Sequence, residues 1–478
     1  MNKIKKNIVY QTIYQLLNIA IPLVTTPIVT RALGPSVLGN YSYTNAIVSY
    51  FSLFALLGMN NYGTREIAKA NSENDKLHLS KTFWNIYAMQ FYLSIIVIAC
   101  YIVYCFSFCN ELFTLSIIQG ILLLATATDI SWFYFGLEEF KVTVTRNIAV
   151  RLISAIAIIG FIKTANDVYR YAAIVTGSQL ISNMILLFSL RGRVIKVRPT
   201  IVEILKHFKP NLMLFIPVVA ASFYVYIDKI MIGTMAKDYD VGYYEGMEKI
   251  INVPNALLSS VALVMYPRIS ALVKKNESGS IIAEYIGKSV LAVSFFSVGA
   301  FFGLMSVSDM LVPLFLGPGY ESVILLLCLG GAILIPRGLR QVVKSEILLP
   351  IHKDKQVTIA IVLGALIDFA INLLLIPQYK AVGATIATII CECASCILMV
   401  LFTRKKWVYK TFLPLIPFSI FGGIMLFSLR QIRPKLDDSW INLLIMIIVG
   451  ALIYCFLSGL YVVVKQKFTI KKIKDMIK

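Results

Sequence analysis

The chain has 478 residues, 58% apolar and only 15% charged, with 45 Lys and Arg against 25 Asp and Glu. Soluble domains are about half apolar and about a quarter charged. Composition therefore excludes a secreted disulfide scaffold, a DNA-binding domain and a disordered tail protein, and leaves an all-α polytopic membrane protein.

Runs of about 20 apolar residues, the length that crosses a bilayer, begin at 8–30, 38–62, 83–106 and 113–136. They continue at 147–162, 169–190, 211–235, 242–265 and 286–307, then at 322–345, 357–377, 382–402, 412–428 and 441–464. The expectation is fourteen transmembrane helices with both ends on one side. The opening MNKIKK leads into the first run without a small-residue cleavage site, so it reads as a retained helix. With the N-terminus cytoplasmic, 30 Lys and Arg fall on inside segments and seven on outside ones. That bias marks both termini as cytoplasmic and makes anionic membrane lipid a partner of the surplus charge. The eight cysteines lie in or beside apolar runs, with no disulfide or zinc spacing.

A shift of 203 residues brings Gly39 onto Gly242, Tyr41 onto Tyr244 and Arg65 onto Arg268. This predicts two look-alike six-helix lobes and two added C-terminal helices. The expected boundaries are an N-lobe over 1–198, an amphipathic linker over 199–210 and a C-lobe over 211–410. The last two spans follow in 411–464 and a basic cytoplasmic tail in 465–478. Transporters built from repeats often hold substrate between the halves.

Polar residues inside the spans mark such a cleft. Glu245, Glu248, Asn252, Asn255 and Ser259 recur at steps of three and four, which keeps them on one helix face. The repeat-related stripe is Ser42, Asn45, Ser49 and Ser52. Polar glue between helices is the competing explanation. Lys229 and Lys249 lie deep in their spans, where pairing with Asp228 or Glu245 is the alternative to a cleft role. Arg337, Arg340 and Lys344 share a face of span ten, either as a cationic cleft wall or as the inner end of a short helix. Asp368, Asn372, Thr388 and Glu392 place oxygen ligands at mid-membrane, suited to Na⁺ or H⁺ coupling or to a structural network, and Asp129 has the same two readings.

Several motifs carry a resemblance over spans one to twelve. They are PIVTRALGPSVLGNYSY at 27–43, NYGTREIA at 61–68 and DISWFYFGLEEFKVTVTRN at 129–147. YVYIDKIMIGTM at 224–235, VGYYEGMEKI at 241–250, VMYPRIS at 264–270 and the LIP…VGATIATIICE arrangement of 375–392 follow in order. The chain resembles the polysaccharide flippases of the multidrug/oligosaccharidyl-lipid/polysaccharide superfamily, the O-antigen and capsule repeat-unit translocases. The resemblance implies alternating access around a cationic cleft, with an undecaprenyl-pyrophosphate-linked oligosaccharide as substrate. Arg31, Arg65 and Arg268 match basic positions of the motifs. The related lipid II flippases have a sodium site on spans seven, eleven and twelve, for which Asp228, Asp368, Asn372 and Thr388 are the local counterparts. The family segment often has Asn where this chain has Asp368, so the ion stays open between Na⁺ and H⁺. No other cofactor, no nucleic acid and no catalysis are implied. The expected form is a monomer in the bacterial cytoplasmic membrane, with polysaccharide polymerase and chain-length proteins as candidate partners. A lipid II-type flippase and a cation-coupled drug exporter are the rival readings.

Overall fold

The computed structural model describes the backbone of residues 3–477 apart from Asn276 and Lys405. Side chains are described for 17–464 except Pro217, Ala220, Ala221, Tyr224, Leu263, Asn276, 405–407 and Lys410. The expected basic tail at 465–478 therefore lies outside the described side chains.

All regular structure among the described residues is helical. The order is α1 (Lys3–Leu56), α2 (Met59–Ser72), α3 (Lys76–Phe108), α4 (Phe113–Gln119), α5 (Ile121–Ala127) and α6 (Ser131–Gly136). It continues with α7 (Phe140–Phe161), α8 (Val168–Phe188), α9 (Ile201–Met235), α10 (Asp238–Lys274) and α11 (Gly279–Phe315). The last are α12 (Ser322–Gly330), α13 (Leu334–Val342), α14 (Asp354–Thr403), α15 (Lys406–Thr411), α16 (Leu415–Ile432) and α17 (Trp440–Ile477). Among the described residues, eleven segments are long and apolar enough to cross a membrane, which makes this a multi-pass membrane protein.

Two of the expected breaks are tight turns between abutting helices, and one expected span is itself broken. α1 runs from the first expected span into the second, turned only at Gly34 (φ 72°), a left-handed conformation that glycine adopts without strain. α14 likewise contains spans eleven and twelve, turned at Lys380 (φ 50°). Span four is three short helices. The break before the last is an Asx turn, in which Asp129 Oδ1 accepts from the Ser131 amide at 2.9 Å. The segment expected as a linker at 199–210 continues without a break into α9.

Packing divides the chain at Gly242 and Tyr243. In the first unit, α1 packs on α3, α5, α7 and α9, while α2 lies against α3, α6 and α9. Its core gathers Met59, Tyr62, Phe83, Trp132, Phe133 and Tyr134. In the second unit, α11 contacts α12, α13, α16 and α17, and α14 packs on α12 and α13. Val298, Met310, Phe418, Met425 and Tyr454 form the core there.

Candidate functional site

The motifs at 61–68 and 129–147 are two halves of one packing unit. Gly63 faces Trp132 so closely that a Cβ would stand 2.7 Å from the indole, and one on Gly136 would meet Ile67 at 2.6 Å. These glycines let α2 and α6 touch. Trp132 is fully buried, and its Nε1 donates to Gln90 Oε1 at 2.9 Å. Gln90 Nε2 in turn donates to the carbonyls of Thr126 and Asp129, both at 2.8 Å. The amide thus satisfies carbonyls exposed where span four breaks, a need that any helix end creates.

Beside this unit lies a pocket of about 760 Å³. α2 contributes Asn60, Asn61, Thr64 and Arg65 to its lining, and the turn into α6 contributes Asp129 and Ser131. α7 supplies Arg146, Asn147 and Arg151, and α8 supplies Ser178, Gln179, Ser182 and Asn183. The three arginines differ. Arg146 is buried, and its guanidinium donates to Asn147 Oδ1 at 3.1 Å and to the Ser182 carbonyl at 2.9 Å. Asn183, which also receives from Arg146, donates onward to the Ala125 carbonyl at 2.7 Å. Arg65 and Arg151 are exposed: Arg65 meets Glu66 at 3.2 Å, and Arg151 donates to Asn18. The pocket therefore offers two accessible cations above a braced amide and hydroxyl floor, groups that can hydrogen-bond both phosphate oxygens and sugar hydroxyls.

Arg65 also sits 5.7 Å from the Tyr62 ring centre. Tyr62 Oη lies 2.6 Å from His207 Nδ1 on α9, outside the expected spans. Burial pushes the His207 imidazole below its ordinary value.

Among the residues singled out in the sequence, Arg65 and Asp129 line this pocket. Arg31 is exposed on α1, which also carries half-buried Asn45 and buried Ser49. Asp228 is buried and Lys229 half-buried on α9. In the second unit, Glu245 meets Lys249 at 3.7 Å, Glu248 and Asn255 are half-buried, and Asn252 is exposed. Arg268 donates to Tyr285 Oη at 2.6 Å and stacks 4.3 Å from that ring's centre. Arg337 and Arg340 are brought onto Glu392, at 2.7 and 2.8 Å. Glu392 is thus a doubly held carboxylate. Asp368 and Asn372 are buried one turn apart, with Asn372 Nδ2 donating to Asp368 Oδ2 at 3.3 Å. Thr388 donates to the Ala384 carbonyl at 2.9 Å and lies 3.1 Å from Tyr244 Oη. Among the described residues, no three of His, Cys, Asp and Glu converge as a metal site.

Arg146, Asn147, Arg151, Gln179, Ser182 and Asn183 were not legible as site residues. Ser178, Gln179, Ser182 and Asn183 do share one helix face inside an apolar span, and that pattern is the signal that finds them.

The second unit holds an apolar groove of about 460 Å³. Val253, Pro254 and Leu257 of α10, Phe295 and Phe296 of α11, Met425 of α16 and Met446 of α17 are among its walls.

Among its described residues the chain is thus a multi-pass helical membrane protein with a basic, amide-rich pocket among its helices. Its fold is similar to the inward closed conformation of the lipid II flippase MurJ, with a TM-score of 0.69 and 19% identity over 95% of this chain and 98% of that one. It is also similar to an inward-facing MATE family transporter of the MOP superfamily, with a TM-score of 0.61 and 14% identity over 85% of this chain and 98% of that one. Residues 4–273 match the polysaccharide biosynthesis protein family, to which the chain belongs. Similar curated proteins include a putative O-antigen transporter of Escherichia coli (strain K12), 24% identical over 84% of this chain and 97% of that protein. Another is a putative O-antigen transporter of Shigella dysenteriae, 26% identical over 84% and 99%. A probable low-salt glycan biosynthesis flippase, Agl15 of Haloferax volcanii, is 24% identical over 52% of each chain.

Proposed function

We propose that this protein, a transporter of the multidrug/oligosaccharidyl-lipid/polysaccharide superfamily and not an enzyme, flips an undecaprenyl-pyrophosphate-linked oligosaccharide repeat unit. It carries the unit from the inner to the outer leaflet of the bacterial cytoplasmic membrane by alternating access, for O-antigen, capsule or exopolysaccharide synthesis. The observation that carries this reading is the pocket of Arg65, Arg146 and Arg151 with its amide floor. A sugar-pyrophosphate headgroup cannot enter hydrocarbon without replacements for its water, and this pocket supplies cations for the phosphates and amides for the hydroxyls. Taken by itself, the apolar groove of the second unit is lined to take an isoprenoid chain.

The finer architecture in this reading is fourteen crossings in two six-helix lobes plus two, with both termini cytoplasmic. Eleven apolar segments, two of them turned at Gly34 and Lys380, together with α9, accommodate that number. Asp368, Asn372 and Thr388 offer oxygen donors for a coupling Na⁺, with H⁺ the other option.

The test is to delete the gene and identify the polyprenyl-linked glycan that accumulates on the cytoplasmic leaflet. An oligosaccharide repeat unit on undecaprenyl pyrophosphate is the expected result. Accumulation of lipid II moves the protein to the peptidoglycan pathway, a reading that the fold likeness to MurJ makes the natural second choice. An unchanged lipid-linked glycan pool overturns the proposal.

A further inference from the structure

One carboxylate of the second unit takes no part in the arrangement above. Glu346 is 1% exposed, and neither of its oxygens has a hydrogen-bond partner. It stands in a π-helical turn, Val343–Leu348, between α13 and the short 3₁₀ turn Leu349–Ile351. Turns of this kind hold a side chain out of ordinary helical register and recur at functional positions. The hydroxyl of Ser289 on α11 is also buried and without a hydrogen-bond partner. It is the polar side chain that acts on Glu346.

Charged groups stand on the same turn and on the adjoining segments. Lys344 shares the turn. Arg337 and Arg340 of α13 go to Glu392 of α14. Asp354 and Lys355 start α14, His352 and Lys353 lie in the loop before it, and Glu284 pairs with Lys288 on α11 at 2.6 Å. None of these hydrogen-bonds the Glu346 carboxyl. An ionised carboxylate loses its hydration there, and no group lies at full hydrogen-bond geometry to replace it. The neutral acid brings its own donor, and Ser289 Oγ is available to accept it.

We infer that Glu346 and Ser289 form a proton-binding site. Glu346 takes one proton from the aqueous phase at the His352 end and holds it as the neutral acid in this conformation. It releases that proton, with no other bond made or broken, when the π-turn rewinds and brings the carboxylate to water. The site stands whichever lipid-linked substrate the protein carries.

The experiment is infrared difference spectroscopy of the full-length protein in lipid nanodiscs, titrated with solvent protons alone. The wild type is expected to show a protonated-carboxyl C=O band that shifts in D₂O and is lost in Glu346→Gln. Ser289→Ala, which keeps the acid, is expected to shift the same band. Glu346→Gln mimics the neutral acid, so it is expected to melt no lower than the wild type, and Glu346→Ala lower than both. Identical carboxyl bands in wild type and Glu346→Gln overturn the proposal. Should Glu346→Gln fail to fold, the Ser289→Ala spectrum decides: an unmoved band overturns the site and a moved band upholds it.

Discussion

Gly39 and Gly242, 203 residues apart in sequence, lie backbone against backbone where α1 crosses the first turn of α10. A Cβ on Gly39 would overlap the Asp238 carbonyl and stand 3.0 Å from the Gly242 nitrogen, while one on Gly242 would overlap the Pro35 carbonyl. Ser36 and Asn40 donate to the Asp238 carboxylate beside this crossing. The two glycines that the internal repeat aligns are therefore partners in space. Small residues at such positions are what allow membrane helices to approach closely.

Gly39→Ala and Gly242→Ala are each expected to destabilise the protein by about 1–3 kcal/mol, the usual cost of forcing a methyl group into packed backbone. Gly160→Ala, where nothing lies within 4 Å, is the control. Thermal melting of the purified variants checks this, and equal melting of all three would show that the crossing yields readily.

The roles of the pocket arginines separate in a single comparison. Arg65→Ala and Arg151→Ala are expected to lower glycan export at unchanged membrane abundance. Each removes a charged hydrogen bond of about 1.5–3 kcal/mol, or roughly ten- to hundredfold in apparent affinity. Arg146→Ala is expected to lower abundance itself, because it strands the acceptors of Asn147 and Ser182. Immunoblots of surface glycan and of the membrane protein, run side by side, read both effects.

Gln90→Leu removes the amide that serves three partners at once. It leaves the Trp132 N–H and the Thr126 and Asp129 carbonyls unsatisfied, each costing about 1–3 kcal/mol when buried. Loss of folded protein from the membrane is the expected outcome. A variant that melts like the wild type would mean the break in span four finds other donors.

The Glu392 cluster is asymmetric. Glu392→Gln removes the carboxylate that two largely buried guanidiniums share, for which about 3–5 kcal/mol is the expected loss. Arg340→Ala leaves the carboxylate still held by Arg337 at 2.7 Å and is expected to cost less. The order of melting temperatures tests this directly.

His207 adds a pH dependence. Its folded form favours the neutral ring because of burial, so the unfolded chain binds more protons near the ordinary imidazole range. Stability then rises with pH: the contribution is complete above about pH 6.5 and falls away as the solution is acidified toward the depressed folded value. Melting across that window should show a slope that His207→Phe flattens.

Much of the fold could be read from the chain, because apolar runs leave helix as the way to satisfy the backbone in lipid. The Gly39–Gly242 register was equally plain. Positions of two turns could be read as well: the gaps left between apolar runs at 31–37 and 378–381 contain Gly34 and Lys380, where the backbone turns. The pocket was hardest to foresee. Arg146 counts among basic loop residues by position, and its burial arises only when α8 brings the Ser182 carbonyl to it. Arg337, Arg340 and Glu392 lie 52 to 55 residues apart, so their pairing appears only once α13 and α14 are adjacent.

A carrier must release what it collects. The Arg146 guanidinium spends its donors on the protein's own acceptors, so it contributes a steady positive potential, falling only as the inverse of distance, without gripping the cargo. In the proposed carrier, attraction is thereby fixed into the scaffold, while the bonds that break at each delivery belong to the two exposed side chains, Arg65 and Arg151.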